Sequence, residues 1–286
     1  MTEVAVRACI RWGLLLAGLS FLPQLFSETG SEDKRSYNLF HPTPEKLLRE
    51  LTTDRPDKTE SPYTVDAGHF QLEMDLLSYT RDGGGDLFAI APTNFKVGLL
   101  NNIDLQVIAE TYNIQRTPGR AAGRHETISG FGDLLVRLKV NFWGNDGGKT
   151  AFGVMPFVKF PTNQHDLGNS AVEGGIIFPL AVELPGKFDL GAMTEVDSVR
   201  NENNSSYHAE FINSITVGHA IAGELSGYVE FFSAVSTGRD AEWIGTADLG
   251  VTYKLTPNIQ LDAGLNIGLT RSADDLNPFV GLSVRY

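Results

Sequence analysis

The chain has one cysteine, Cys9, and it lies near the N-terminus. One copy can therefore form no internal disulfide, and no cysteine-based metal site or nucleophile is available to the bulk of the chain. Bases are scarce too: 23 Lys and Arg face 35 Asp and Glu, for a net charge of -12. A nucleic-acid partner asks for a basic face, so none is expected. After Phe26 no apolar run approaches the ~20 residues that a membrane helix needs. If this chain enters a membrane, only a closed barrel can satisfy its backbone groups there. The six histidines show no metal-ligand spacing, and neither metal nor cofactor is expected.

What is present begins with Arg7 and Arg11, an apolar run from Trp12 to Phe26, and polar Ser27-Glu28-Thr29-Gly30. That order is the order of a secretory signal, so residues 1–27 are read as a signal peptide cleaved on export. Residues 28–66 form a polar N-terminal segment with one short helical candidate, Pro44 to Leu51. Between Thr52 and Pro62 acids and bases alternate, flanked by Pro56 and Pro62. Such a stretch buries little apolar surface; it is either a plug inside a barrel or a periplasmic extension. The plug charges would be Asp54, Arg55, Asp57, Lys58 and Glu60.

From residue 67 to 286 the pattern turns to period two. Phe70, Leu72, Met74 and Leu76 alternate with Gln71, Glu73 and Asp75; Leu134, Val136, Leu138, Val140 and Phe142 alternate with Asp133, Arg137, Lys139 and Asn141. Runs of this kind predict twelve strands, ending with Val280 to Tyr286. Short turns (Asn101-Asn102, Asn145 to Gly148, Pro185-Gly186, Ala220 to Gly223, Pro257-Asn258) alternate with longer connections near Asp82, Thr117, Gln164, Asn203, Gly238 and Asp274. Short turns at one end and longer loops at the other predict an all-β, antiparallel, up-and-down transmembrane β-barrel with both termini on the periplasmic side.

Charge separates lipid from lumen. Within those runs the outward positions carry no Asp, Glu, Lys or Arg. A lipid-facing base costs roughly 2–4 kcal/mol at the bilayer centre, whereas a soluble sandwich mixes charges over its outer faces. The opposite positions are predominantly acidic: Glu73, Asp75, Asp104, Glu173, Glu195, Glu210, Glu230, Asp248 and Asp262 against Lys96, Arg137, Lys139, Lys159 and Lys254. These are the candidate lumen-lining residues. Aromatics fall near strand ends, as an interfacial girdle requires: Tyr79, Phe142, Trp143, Phe160, Tyr207, Trp243 and Tyr253. The alternation Val280, Leu282, Val284, Tyr286 at the C-terminus is similar to the signal that hands barrels to the outer-membrane assembly machinery.

The block Leu51-Thr52-Thr53-Asp54-Arg55-Pro56-Asp57-Lys58-Thr59-Glu60-Ser61-Pro62, followed by Val65 to Glu73, resembles the opening of the transporter family of the MetA-pathway of phenol degradation. Gly130-Phe131-Gly132-Asp133 leading to Arg137, and Pro156 to Thr162, are similar to later blocks of that family. The resemblance implies an outer-membrane barrel with a transport role and brings no binding residues with it. The family name reflects genetic context and does not identify phenol as the solute.

The reading is a non-enzymatic channel for small polar or amphipathic solutes, with an acidic, cation-tolerant lumen and the lipid bilayer as its surroundings. Arg137, Lys139 and Lys159 would form a basic stripe facing an acidic wall. Two alternatives stand beside it: a structural barrel with a filled interior, and a membrane-embedded hydrolase. A barrel phospholipase places Ser two positions after His on one strand face. Here Gln71, Thr127, Leu167, Glu210 and Ile221 follow His69, His125, His165, His208 and His219 at that spacing, which disfavours the hydrolase.

Overall fold

A computed structural model describes residues 33–119, 125–201, 205–238 and 242–286. The signal peptide expected at residues 1–27 lies outside them. The period-two runs form β1 (Phe70–Asp82), β2 (Gly85–Ile90), β3 (Thr93–Leu100), β4 (Ile103–Ala109), β5 (Tyr112–Pro118), β6 (His125–Gly130), β7 (Leu134–Trp143) and β8 (Thr150–Phe160). They continue as β9 (Glu173–Leu184), β10 (Phe188–Arg200), β11 (Tyr207–Ala222), β12 (Leu225–Ser236), β13 (Trp243–Thr256), β14 (Ile259–Gly268) and β15 (Leu276–Arg285).

These segments make twelve staves of a closed antiparallel barrel, because three staves are broken in the middle. β3 pairs with the first half of β1 and β2 with its second half. The break falls at Ala91-Pro92, where Ala91 takes φ 53° and Pro92 offers no N–H to a ladder. β4 and β5 share the next stave, and β7 and β6 the one after, pairing in the same split fashion. β15 then pairs with β1, from Gln71↔Arg285 to Arg81↔Leu276, and the sheet has closed on itself. The backbones of Phe70 and Tyr286 exchange two hydrogen bonds at 3.1 and 2.8 Å at the seam. Closure leaves no exposed sheet edge at the seam.

One end of the barrel carries the short turns and both ends of the barrel's chain; we call it the turn end, and its opposite the loop end. The connection expected to be long near Asp82 is instead a tight Gly83-Gly84 turn between β1 and β2. Both strands run past the apolar band, where polar residues on both faces erase the period-two signal. The outward positions there carry Arg81, Asp86 and Arg116, and β10 ends on outward Arg200. The charge-free outer face thus holds for the band and stops at the loop-end rim.

Burial runs opposite to that of a water-soluble domain. Among the largest fully buried side chains are Lys96, Lys139, Gln106, Glu73 and Asp104, while Phe, Leu, Ile and Val dominate the exposed ones. Polar groups inside and bare apolar groups outside are stable together only when the outer solvent is hydrocarbon. Outward aromatics stand at both rims: Phe142, Trp143, Phe188 and Tyr253 at the turn end, Phe160, Tyr207 and Trp243 at the loop end. Among the described residues no helix is long and apolar enough to cross a membrane. Two single 3-10 turns precede the barrel, at Lys34–Ser36 and Glu45–Leu47; the latter falls inside the helical candidate Pro44 to Leu51.

Candidate functional site

Each of the candidate lumen residues falls on an inward position: Glu73 and Asp75 on β1, Lys96 on β3, Asp104 on β4, and Arg137 and Lys139 on β7. Lys159, Glu173, Glu195, Glu210 and Glu230 follow on β8 to β12, with Asp248 and Lys254 on β13. The parity of the strand dictates this, since successive side chains point to opposite faces. Lys254 sits nearest the turn end and pairs with exposed Glu50 at 3.2 Å.

What occupies the middle of the lumen is residues 51–66. The segment enters from the turn end, reaches its deepest point around Lys58 and Thr59, and returns to meet β1. Its charges meet wall charges of opposite sign. Asp54 accepts from Lys139 Nζ at 2.6 Å and also pairs with Lys96. Glu60 pairs with Arg137. Arg55 Nη2 lies 2.6 Å from Asp75 on β1, the strand next to that of Lys96, and 2.7 Å from Asp262 on β14, and Lys58 Nζ lies 3.2 Å from Asp248 on β13. Lys96, Arg137 and Lys139 thus hold Asp54 and Glu60 and the wall acids hold Arg55 and Lys58, while Lys159 of the expected basic stripe pairs with Glu173 on the wall instead.

Backbone groups are satisfied the same way. The N–H of Asp54 donates to Glu73 at 3.0 Å, that of Lys58 to Glu230 at 2.9 Å, and that of Val65 to Asp104 at 3.0 Å. Asn141 Nδ2 donates to the Pro62 carbonyl at 2.9 Å, and Lys139 Nζ to that of Tyr63 at 3.2 Å. A segment without regular structure must find partners for its buried amides, and here the wall side chains provide them. Asp54 also accepts from Ser61 N–H at 3.1 Å, which ties the two arms of the segment together. Arg55 and Lys58 are further packed over the rings of Phe279 and Phe232, at 5.6 and 4.6 Å.

Burial alone would raise the Asp54 pKa, but the charges and hydrogen bonds of Lys139 and Lys96 outweigh it and hold the carboxyl well below the ordinary range. Asp57 behaves in the opposite way. Burial and the neighbouring Glu230 charge push it up to about 8, although a hydrogen bond from Thr216 opposes the rise. Among the described residues Asp57 has no ion-pair partner, which separates it from the segment's other four charges.

Four features lie outside the reading of the sequence above. The lumen has an apolar strip of Met155, Ile177 and Met193 packed with Phe157, Ile212 and Phe232. Its trace was visible in Gly174 to Leu180, where both parities lack charge and alternation disappears. At the turn end Asp66, with 1% exposure, gathers Arg49 at 3.2 Å and Arg285 at 3.8 Å. Inward glycines make room: a Cβ on Gly98 would collide with the Asp66 carbonyl, and one on Gly281 with the Arg55 guanidinium. Beside the segment a cavity of about 380 Å³ is lined by Asp57, Thr59, Asp189, Thr216 and Tyr228 among others. Among the described residues no group of three His, Cys, Asp or Glu is arranged to hold a metal ion.

The family model described as "Putative MetA-pathway of phenol degradation" matches residues 53–286. The solved structure of the COG4313 outer membrane channel from Pseudomonas putida F1 is similar with a TM-score of 0.58 at 13% identity, covering 82% of this chain and 100% of that one. The NanC porin structure gives a TM-score of 0.52 at 12% identity, covering 75% and 98%. At these identities the likeness is one of fold, that of outer-membrane channels. No curated protein sequence matches the chain.

Proposed function

We propose, from the premise that the chain belongs to the MetA-pathway of phenol degradation family, that this outer-membrane barrel passes small polar or amphipathic solutes through a lumen regulated by residues 51–66. The observation that carries the reading is the pairing of Asp54, Glu60, Arg55 and Lys58 with wall charges of opposite sign. A segment held by ion pairs rather than by a packed apolar core can be displaced without unfolding the barrel. Its neighbours suit amphipathic cargo: the apolar strip from Met155 to Phe232 lies on one side of the lumen.

Cation tolerance rests on acids that the segment leaves unmatched. Glu195, Asp197 and Glu210 gather on β10 and β11, with Asp197 opposite Glu210 in the ladder. The bases that act on these acids, Arg137 and Lys159, already hold Glu60 and Glu173. A mouth of this sign concentrates cations and repels anions. The turn end faces the periplasm in this reading, after export through a cleaved signal peptide and insertion by the barrel assembly machinery.

The test is planar-bilayer recording of the mature chain beside a deletion of residues 31–62. Higher conductance after deletion, with a reversal potential on the cation side, supports the reading. Unchanged conductance removes the segment from any gating role. No permeation by either protein, in bilayers or in liposome swelling, favours a structural barrel with a filled interior.

A further inference from the structure

Away from the lumen, among the described residues, charge reappears on the outer wall in one place where adjacent staves share it. The register sets Arg81 of β1 opposite Asp86 of β2, and Asp86 opposite Arg116 of β5. On its other side Arg81 faces Leu276, which faces Ile267; both are apolar and more than a third exposed. The arginines therefore stand level with the loop-end rim of the apolar band, at headgroup height. Both are exposed, and neither has an ion-pair partner among the described residues.

Directly below them the wall is an apolar and aromatic shelf. The Arg116 guanidinium lies 5.3 Å over the Phe88 ring, and that ring is 4.9 Å from Tyr79. Leu77, Ile90 and Tyr112 continue the shelf toward the membrane centre, each at least 40% exposed. Asp86 is turned toward Tyr79, whose hydroxyl donates to it at 2.6 Å. A planar guanidinium held by a ring presents its N–H fork outward, in the geometry that grips a phosphate with two hydrogen bonds. Cations at headgroup level above bare apolar wall fit an anionic lipid, whose phosphate and acyl chains meet the two parts of the patch.

We propose that Arg81 and Arg116 bind the phosphate groups of an outer-leaflet glycolipid, the lipid A class, with its acyl chains lying along Phe88, Ile90, Tyr112 and Leu77. The proposal rests on the orientation adopted above, with the loop end facing outward. Asp86, between the two arginines, opposes the bound phosphate and sets the affinity below its maximum.

The experiment titrates the detergent-purified mature chain with bisphosphorylated lipid A, its dephosphorylated analogue, and phosphatidylglycerol, read by native mass spectrometry. The wild type should prefer the bisphosphorylated lipid by roughly tenfold or more, as two arginines at a headgroup imply. The double variant Arg81→Gln with Arg116→Gln should lose that preference, Asp86→Asn should bind more tightly, and Lys46→Gln at the turn end should match the wild type. A preference retained by the double variant, or absent from the wild type, overturns the site. Equal binding of phosphatidylglycerol overturns the outer-leaflet assignment. A Gly84→Cys variant labelled on intact cells reports the orientation separately: no labelling sinks the orientation, while the titration in detergent still decides the site.

Discussion

The Asp54 carboxylate accepts the Lys139 ammonium at 2.6 Å across 85 positions of sequence, and Lys96 from another stave meets the same group. Three buried charges on three separate pieces of chain share one point inside the barrel. The inner segment is therefore not merely near the wall; it completes the wall's electrostatics. Without Asp54, Lys96 would keep its pair with Glu73, but Lys139 would lose its carboxylate partner in a poorly solvated space, which is costly.

Replacing Asp54 with Asn should release the segment. Breaking a buried pair from one side costs about 3–5 kcal/mol because the partner is left charged and unmatched. The expected outcome is a rise in conductance and new tryptic cleavage after Lys58, with the heat-modifiable barrel band unchanged on gels. Because the lysines hold this carboxyl below its ordinary value, its contribution is complete above the unfolded pKa of about 4 and is lost only as pH falls through the lowered one. Barrels carrying Asp54→Asn that remain uncleaved and silent would show that Asp54 holds nothing in place.

Asp57 should make the segment sensitive to alkali. Its carboxyl is raised to about 8 in place, so the seated segment favours the protonated form. Seating is then strongest below the unfolded pKa of about 4 and weakens as pH rises toward 8, above which the penalty is constant. Open probability in bilayers should climb between pH 5 and 8 in the wild type, and Asp57→Asn should flatten that climb. A variant with the same pH profile as the wild type assigns the dependence to other groups.

The Arg55–Asp262 contact, 2.7 Å long and bridging the segment to β14, should show coupling in a charge swap. Arg55→Asp and Asp262→Arg should each raise conductance alone, and the double variant should recover part of the closed behaviour. Contacting charged residues couple by roughly 0.5–3 kcal/mol in such cycles. Strict additivity of the two single effects would place the holding force elsewhere.

Tyr286→Ala should separate assembly from stability. The seam hydrogen bonds to Phe70 come from the Tyr286 backbone, so the variant retains them. Refolding into detergent should proceed nearly as in the wild type, while the amount reaching the outer membrane in cells drops several-fold. Equal cellular yields would remove the terminal ring from targeting.

The lumen list was legible in the sequence because strand parity is local: once Glu73 is inward, Asp75 must be too. The extension of β1 and β2 past Tyr79 and Phe88 was not, since from the headgroups outward both faces meet water and no pattern distinguishes them. The apolar strip of Met155, Ile177 and Met193 was hidden for a related reason. Lipid and an occupied lumen both accept apolar side chains, so a run with no polar parity does not say which side it faces.

The alternating residues of this chain determined by themselves that it closes as a twelve-stave barrel with charge inside and an apolar band outside. A two-residue period with one uncharged face has few other stable solutions. Only the tertiary structure decided what Asp54, Arg55, Lys58 and Glu60 do. Their partners lie on β1, β3, β7, β13 and β14, and ion pairing depends on distance in space, which the order of residues does not carry.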